Sequence, residues 1–237
     1  MTNVWTITWR ELKTYFVSPL AYILSFVWLF LAGIFFWLSV SNRDASMRGV
    51  FPTLLFLFWL LAPLLTMRLL AEEQRMGTLE LLLTAPLHDW QVVIGKFLGN
   101  LIWYAALVIL PMLSYVVILV RYGSPDYGPL VTGYLGMLFM GAACFSIGLF
   151  TSSLTQNQVI SAVLSFAILI LLWISDFVSN FAGPGMISDI GNYLSITRHY
   201  NDFFNGVINS TDIIYTLCVV AISLFLATQT LQSRRWR

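Results

Sequence analysis

The chain has 237 residues, 59% of them hydrophobic and 10% charged, with a mean hydropathy of +0.82; that composition excludes an ordinary soluble domain. A net charge of +1 leaves no basic surface to neutralise a row of phosphates, so no nucleic-acid partner is expected. No P-loop is present: Gly95-Lys96 is followed by Phe97 where Ser or Thr is needed, and Trp90 stands where the earlier glycine belongs. If ATP drives this protein, a partner binds it.

Residues 1–18 are too polar to span. Trp5, Trp9, Leu12 and Phe16 recur at i, i+4, i+7 and i+11, the stripe of a helix lying in the membrane interface; a frayed terminus is the plainer alternative. The segment lacks the layout of a cleaved signal, so the first span is expected to be retained. Ser18-Pro19 redirects the chain.

Charge-free apolar runs place transmembrane helices at 20–41, 50–70, 95–120, 129–151, 157–176 and 211–232. The fourth and fifth come from one long uncharged run, broken by the polar stretch Thr151 to Gln158, where the chain is expected to turn. With six spans both termini share a side. Eight Lys/Arg on the terminal and even-loop segments, against Arg43, Arg48, Arg121 and Arg198 opposite, put that side in the cytoplasm. The closing Ser233-Arg234-Arg235-Trp236-Arg237 reads as a surface anchor. Cys144 and Cys218 lie within apolar runs, where a thiol behaves as a small hydrophobe, so neither a disulfide nor a metal site is expected.

The loop 71–90 is the most distinctive segment. Arg68 with Glu72, and Glu72 with Arg75, are spaced to pair along a helix leaving the membrane. Gly77 breaks that helix. Thr78 then caps a two-turn helix with Glu80 in its first turn, ended by Pro86. Leu79, Leu81, Leu82 and Leu83 are too many leucines for a solvated loop, so this helix docks on a partner or lies on the bilayer. Asp89 caps the third span, and Lys96 is placed to snorkel to the interface.

The run Glu72-Glu73-x-x-x-Gly77-Thr78-Leu79-Glu80-Leu81-Leu82-Leu83-x-x-Pro86, followed by Gly95-Lys96-Phe97-Leu98, resembles the signature of ABC-2 type transporter permeases. The resemblance implies an all-α polytopic fold of the type V exporter kind. Such a fold has six transmembrane helices, an N-terminal interfacial helix, a cytoplasmic coupling helix and an external re-entrant hairpin, with 1–237 as a single transmembrane domain. It implies that Thr78 to Thr84 is the coupling helix seated on an ATP-binding subunit, with Glu72, Glu73 and Arg75 as its charged approach. It also implies two ATP-binding subunits, which hold ATP and Mg, and a second permease copy as homodimer. The setting implied is the bacterial cytoplasmic (inner) membrane. No cofactor is expected on this chain, nor catalysis by it.

A second run, Leu194-Ser-Ile-x-x-His199-Tyr-x-x-Phe203-Phe204-x-Gly206-Val207-Ile208-x-Ser-x-Asp212-x-x-Tyr215, is similar to the end of GldF-type gliding-motility permeases and their NosY-like relatives. That similarity implies a GldG-like accessory membrane protein. By its apolar residues, 177–210 reads as a hairpin packed on protein in the outer leaflet; the family implies an exit lid, and an ordinary capping loop is the alternative. His199 reads as a loop residue hydrogen-bonded near Tyr200 and Asp202, separated by the membrane from His88. Asp176 reads as interfacial.

Gly95 and Gly99 at the start of span three, and Gly141, Cys144 and Gly148 on span four, permit close helix approach within the chain. Gln158, Ser161 and Ser165 share a face of span five, a polar track that lines a pathway or bonds to a neighbouring helix. No charge lies deep in any of these spans, which argues against ion-coupled transport. Apolar spans with few polar groups point to a lipid-like or amphipathic substrate entering laterally, with membrane lipid around the chain. The same coupling helix would also serve a non-transporting subunit that passes ATP-driven movement to an envelope machine. A remote alternative is a CAAX-like intramembrane hydrolase using Glu72-Glu73, but Gly77 stands where that pattern has arginine.

Overall fold

A computed structural model describes residues 2–42, 47–78, 87–181 and 185–235. Among them the protein is all helical, and six helices are long and apolar enough to cross a membrane. The helices are α1 (Thr2–Val17), α2 (Pro19–Ser41), α3 (Val50–Thr66), α4 (Ala71–Arg75), α5 (Asp89–Tyr122), α6 (Tyr127–Leu154), α7 (Gln158–Phe181), α8 (Met186–Leu194), α9 (Ile196–Phe204) and α10 (Ser210–Arg235).

α6 is the central post. It packs against α3, α5, α7, α9 and α10, because its glycines present bare backbone on several faces at once. A Cβ on Gly133 would sit 2.3 Å from the Phe51 ring of α3, and one on Gly136 2.8 Å from Phe203 of α9. At Gly141 it would meet the Tyr104 ring of α5 at 2.2 Å, and at Gly148 Thr66 Oγ1 of α3 at 2.0 Å. The small residues of span four therefore serve packing within the chain, as the sequence suggested. Tyr104, fully buried, donates to Met137 O at 3.1 Å.

α1 lies along the start of α5. Gly95 and Gly99 make this possible: a Cβ would come within 2.7 Å of Ile7 and 2.8 Å of Glu11, respectively. The buried face of α1 is Ile7, Thr8, Glu11 and Leu12, whereas Trp5, Trp9 and Phe16 are exposed. Two stripes thus share one helix, one for α5 and one facing outward.

Several boundaries differ from the sequence reading. α5 starts at Asp89 rather than 95, with His88 as the residue before it and Gln91 Oε1 accepting from His88 N at 3.2 Å. Asp89 is therefore the first helical residue, not the cap, and its charge lies where the helix dipole favours it. α6 continues to Leu154, so Thr151, Ser152 and Ser153 are buried helix rather than turn. The turn is confined to residues 155–157, and Asn157 Oδ1 accepts from Val159 N at 2.9 Å to open α7. α7 runs on to Phe181, five residues past the expected end.

Candidate functional site

Two regions concentrate polar side chains, one at each end of the bundle. At the first, α3 ends at Thr66, residues 67–70 form turns, and α4 restarts the helix. The backbone donors freed by this break are met by α6: Ser152 Oγ accepts from Leu70 N at 3.0 Å and from Ala71 N at 2.9 Å, and donates to Met67 O at 3.2 Å. Gln74 Nε2 adds a bond to Ser153 O at 3.0 Å. Within the polar stretch where a turn was expected, Ser152 and Ser153 instead form a clasp on α4, and the turn follows at 155–157.

The clasp turns Glu73 toward α5 and α1. Lys96 Nζ lies 2.9 Å from Glu73 Oε1 and 2.7 Å from Glu11 Oε1. Arg10 completes the set, 3.2 Å from Glu73 and 3.6 Å from Glu11. Lys96 is 1% exposed, so it does not snorkel to the interface. Two carboxylates neutralise it, and the cluster of two cations and two anions is balanced, which is the condition for burying such charges. Arg10 and Glu11 were missed as site residues. Their one signal was that both carry charge off the Trp5, Trp9, Leu12 and Phe16 stripe.

The expected pairing of Glu72 with Arg68 and Arg75 is not among the ion pairs of the described residues. The turn at 67–70 takes Arg68 off the helix that carries Glu72. Gly77 has φ +70°, a left-handed conformation that ends α4 as expected and that a Cβ would strain. Thr78 Oγ1 donates to Glu73 O at 3.3 Å. The remainder of the coupling-helix assignment, Leu79, Glu80, Leu81, Leu82, Leu83, Thr84 and Pro86, lies outside the described residues.

At the opposite end, α8 folds back on α7, with Gly191 so close that a Cβ would be 2.9 Å from Ser179. α9 inserts Phe203 and Phe204 into the core, where Phe204 stacks on Phe51 at 5.8 Å. Gly206, at φ +93°, turns the chain against Pro129. His199 Nδ1 lies 2.7 Å from Asp212 Oδ1, its Nε2 lies 3.2 Å from Tyr193 O, and its ring stacks on Tyr215 at 4.0 Å. The partner of His199 is therefore Asp212, across to α10, rather than the nearby Asp202, which accepts from Asn209. Tyr200 is buried beside it, 3.0 Å from Thr216 Oγ1. His199, Phe203, Phe204 and Asp212 are buried at this end of the bundle and form one anchor, with Gly206 half-buried beside Pro129.

Ser161 and Ser165 are buried within the chain, and their hydroxyls have no hydrogen-bond partner among the described residues. Gln158 and Asp176 are half-buried.

Residues 36–232 match the family model described as ABC-2 family transporter protein. The chain belongs to the ABC-2 transporter family. With its six long apolar helices, this ABC-2 protein is a multi-pass membrane protein. It is 31% identical over 136 residues to the "Probable multidrug ABC transporter permease YbhR" of Escherichia coli strain K12, a match covering 56% of this chain and 35% of the relative. The protein of the same name from Escherichia coli O157:H7 matches with the same identity and coverage. The match spans about a third of the length of these curated relatives.

Proposed function

We propose that this ABC-2 chain is the permease subunit of an ATP-driven exporter, two copies facing each other on a pair of separate ATP-binding subunits that hold ATP and Mg. The observation that carries this reading is the Glu73–Lys96–Glu11 cluster. It ties α4, the approach to the Thr78–Thr84 coupling segment, to both the first turns of α5 and the interfacial helix α1. A push delivered at Thr78 has a stiff route into the bundle, because ion pairs and the Ser152 clasp join elements distant in sequence. Glu73 is held by two cations, which suits transmission rather than the general base of a hydrolase.

Both termini are assigned to the cytoplasm of a bacterial inner membrane by the Lys/Arg distribution. The α8–α9 segment is then external, with its exposed residues such as Tyr193 and Met186 over the exit and its buried anchor fixing it to α6 and α10. The buried hydroxyls of Ser161 and Ser165, without a hydrogen-bond partner among the described residues, support a place for the inner face of α7 along the translocation route. The word multidrug in the name of the Escherichia coli relatives supports a drug-like cargo, and the second sequence run supports a place near the GldF and NosY permeases, with a GldG-like accessory protein.

The test is a mild-detergent pull-down of the tagged chain, with stoichiometry. Two copies with an ABC ATPase are expected, and Leu82→Asp or Leu83→Asp abolishes ATPase recovery while the chain still extracts as a folded dimer. Retained ATPase with both charges in place refutes the docking assignment. A distinct second permease replaces the homodimer with a heteromer.

A further inference from the structure

Beside the ion cluster lies a cavity of about 760 Å³, walled by α1, the start of α2, the end of α3, and α4. Its volume falls within the range of small-molecule sites, about 300–1,000 Å³. Three kinds of wall meet in it. Leu20, Leu65 and Leu69 supply an apolar side. Arg68 and Lys13 supply cations: Arg68 is exposed with no ion-pair partner among the described residues, and Lys13 lies 5.9 Å over the Trp9 ring. The third wall is made of acceptors. Glu73 Oε2 is buried with no hydrogen-bond partner among the described residues, although Oε1 of the same carboxylate holds two cations.

Tyr15 also lines this cavity, and its buried hydroxyl has no hydrogen-bond partner among the described residues. Its ring is fixed by stacking on Trp103 at 5.0 Å. Burial, reinforced by the charge of Glu11, pushes its ionisation up, so the hydroxyl stays protonated and able to donate. Unpartnered buried polar atoms are costly, and they mark where a complementary group belongs.

An occupant that satisfies all three walls carries an anion for Arg68 and Lys13, a hydrogen-donating cation for Glu73 Oε2, and hydrocarbon for the leucines. We propose that the cavity is a binding site for an aminophospholipid, a glycerophospholipid with a phosphodiester and a primary ammonium in its headgroup. Phosphate pairs with Arg68 and Lys13, ammonium with Glu73, and an acyl chain follows the leucine wall between α2 and α3. A phosphocholine headgroup has no N–H to donate, and a phosphoglycerol headgroup has no cation, so the site discriminates by headgroup. The depth of the site in the membrane rests on α1 being interfacial, as proposed above. Binding itself does not depend on the ATPase.

The test is native mass spectrometry of the full-length chain titrated with dioleoyl phosphatidylethanolamine, phosphatidylcholine or phosphatidylglycerol. The ethanolamine lipid is expected to be retained at least about five-fold better than either other lipid. Glu73→Gln, which takes away the charge paired with the ammonium, is expected to remove that preference, whereas Arg68→Gln, at an exposed position, is expected to lower retention of all three lipids alike, since they share the phosphate, without lowering the melting temperature. If Glu73→Gln does not fold, the uniform loss of retention in Arg68→Gln, together with the preference of the parent chain, carries the comparison. Equal retention of the three lipids by the parent chain, a preference for phosphatidylglycerol, an unchanged preference in Glu73→Gln, or unchanged retention in Arg68→Gln overturns the proposal. Displacement of the lipid by soluble glycerophosphoethanolamine at equal concentration overturns its assignment to a membrane lipid. Loss of ATPase recovery in the pull-down leaves this lipid preference unchanged, so the two readings fail separately.

Discussion

Lys96 on α5 and Glu73 on α4 meet at 2.9 Å, with Lys96 closed off from its surroundings and Glu11 of α1 on its other side. One ammonium thus joins three helices. Because the cluster is balanced, its members are interdependent: removing one leaves an opposite charge buried without compensation.

Lys96→Met is expected to destabilise the chain by about 3–5 kcal/mol, the cost of breaking a buried pair from one side. Adding Glu11→Leu leaves Arg10 with Glu73 and restores most of the loss. Thermal unfolding in detergent reads both, and an unchanged melting point in Lys96→Met would show that the ammonium is not held as described.

Ser152→Ala removes the acceptor of two backbone N–H groups at the break between α3 and α4. Each buried donor left unsatisfied costs about 1–3 kcal/mol. Hydrogen exchange at residues 70–75 is expected to rise while that of α10 stays constant. Uniform protection across both regions would remove the clasp.

Gly95→Val places a side chain where Ile7 already sits, 2.7 Å from even the first carbon. α1 is expected to detach from α5, and hydrogen exchange across residues 4–12 should then rise. A Gly33→Ala control, whose Cβ meets only Tyr115 Oη at 3.7 Å, keeps the native pattern. Normal α1 contacts in Gly95→Val contradict the packing.

Asp212→Ala leaves the His199 ring without its 2.7 Å partner. Hydrogen bonds to charged groups contribute about 1.5–3 kcal/mol, and a loss of that size is expected. It should appear as earlier proteolysis at 185–205, with α1 to α5 still protected. His199→Phe with Asp212→Leu should recover resistance, because the pair is then replaced by apolar contact beside Tyr215. If Asp212→Ala is as resistant as the parent chain, the anchor is held by Phe203 and Phe204 alone.

Much of this architecture is legible in the sequence because a membrane span is a local sum. About 20 apolar residues are needed wherever they occur, and the six runs mark the six long helices. Gly77 is legible for a similar reason, since a glycine after a charged helical turn carries its own conformational argument. The glycines of α6 announce close approach, although not which ring each would receive.

What only the tertiary structure decided are the partners, because the pairing of two side chains depends on chain segments far apart. Lys96 finds Glu11 85 positions away, and Ser152 finds Leu70 82 positions away. Read in isolation, a lysine near a membrane boundary favours water, and three consecutive polar residues in an apolar run favour a turn. Burial reverses both preferences only when the complementary groups are delivered by other helices. α1 and α4, packed against α5 and α6, deliver them here.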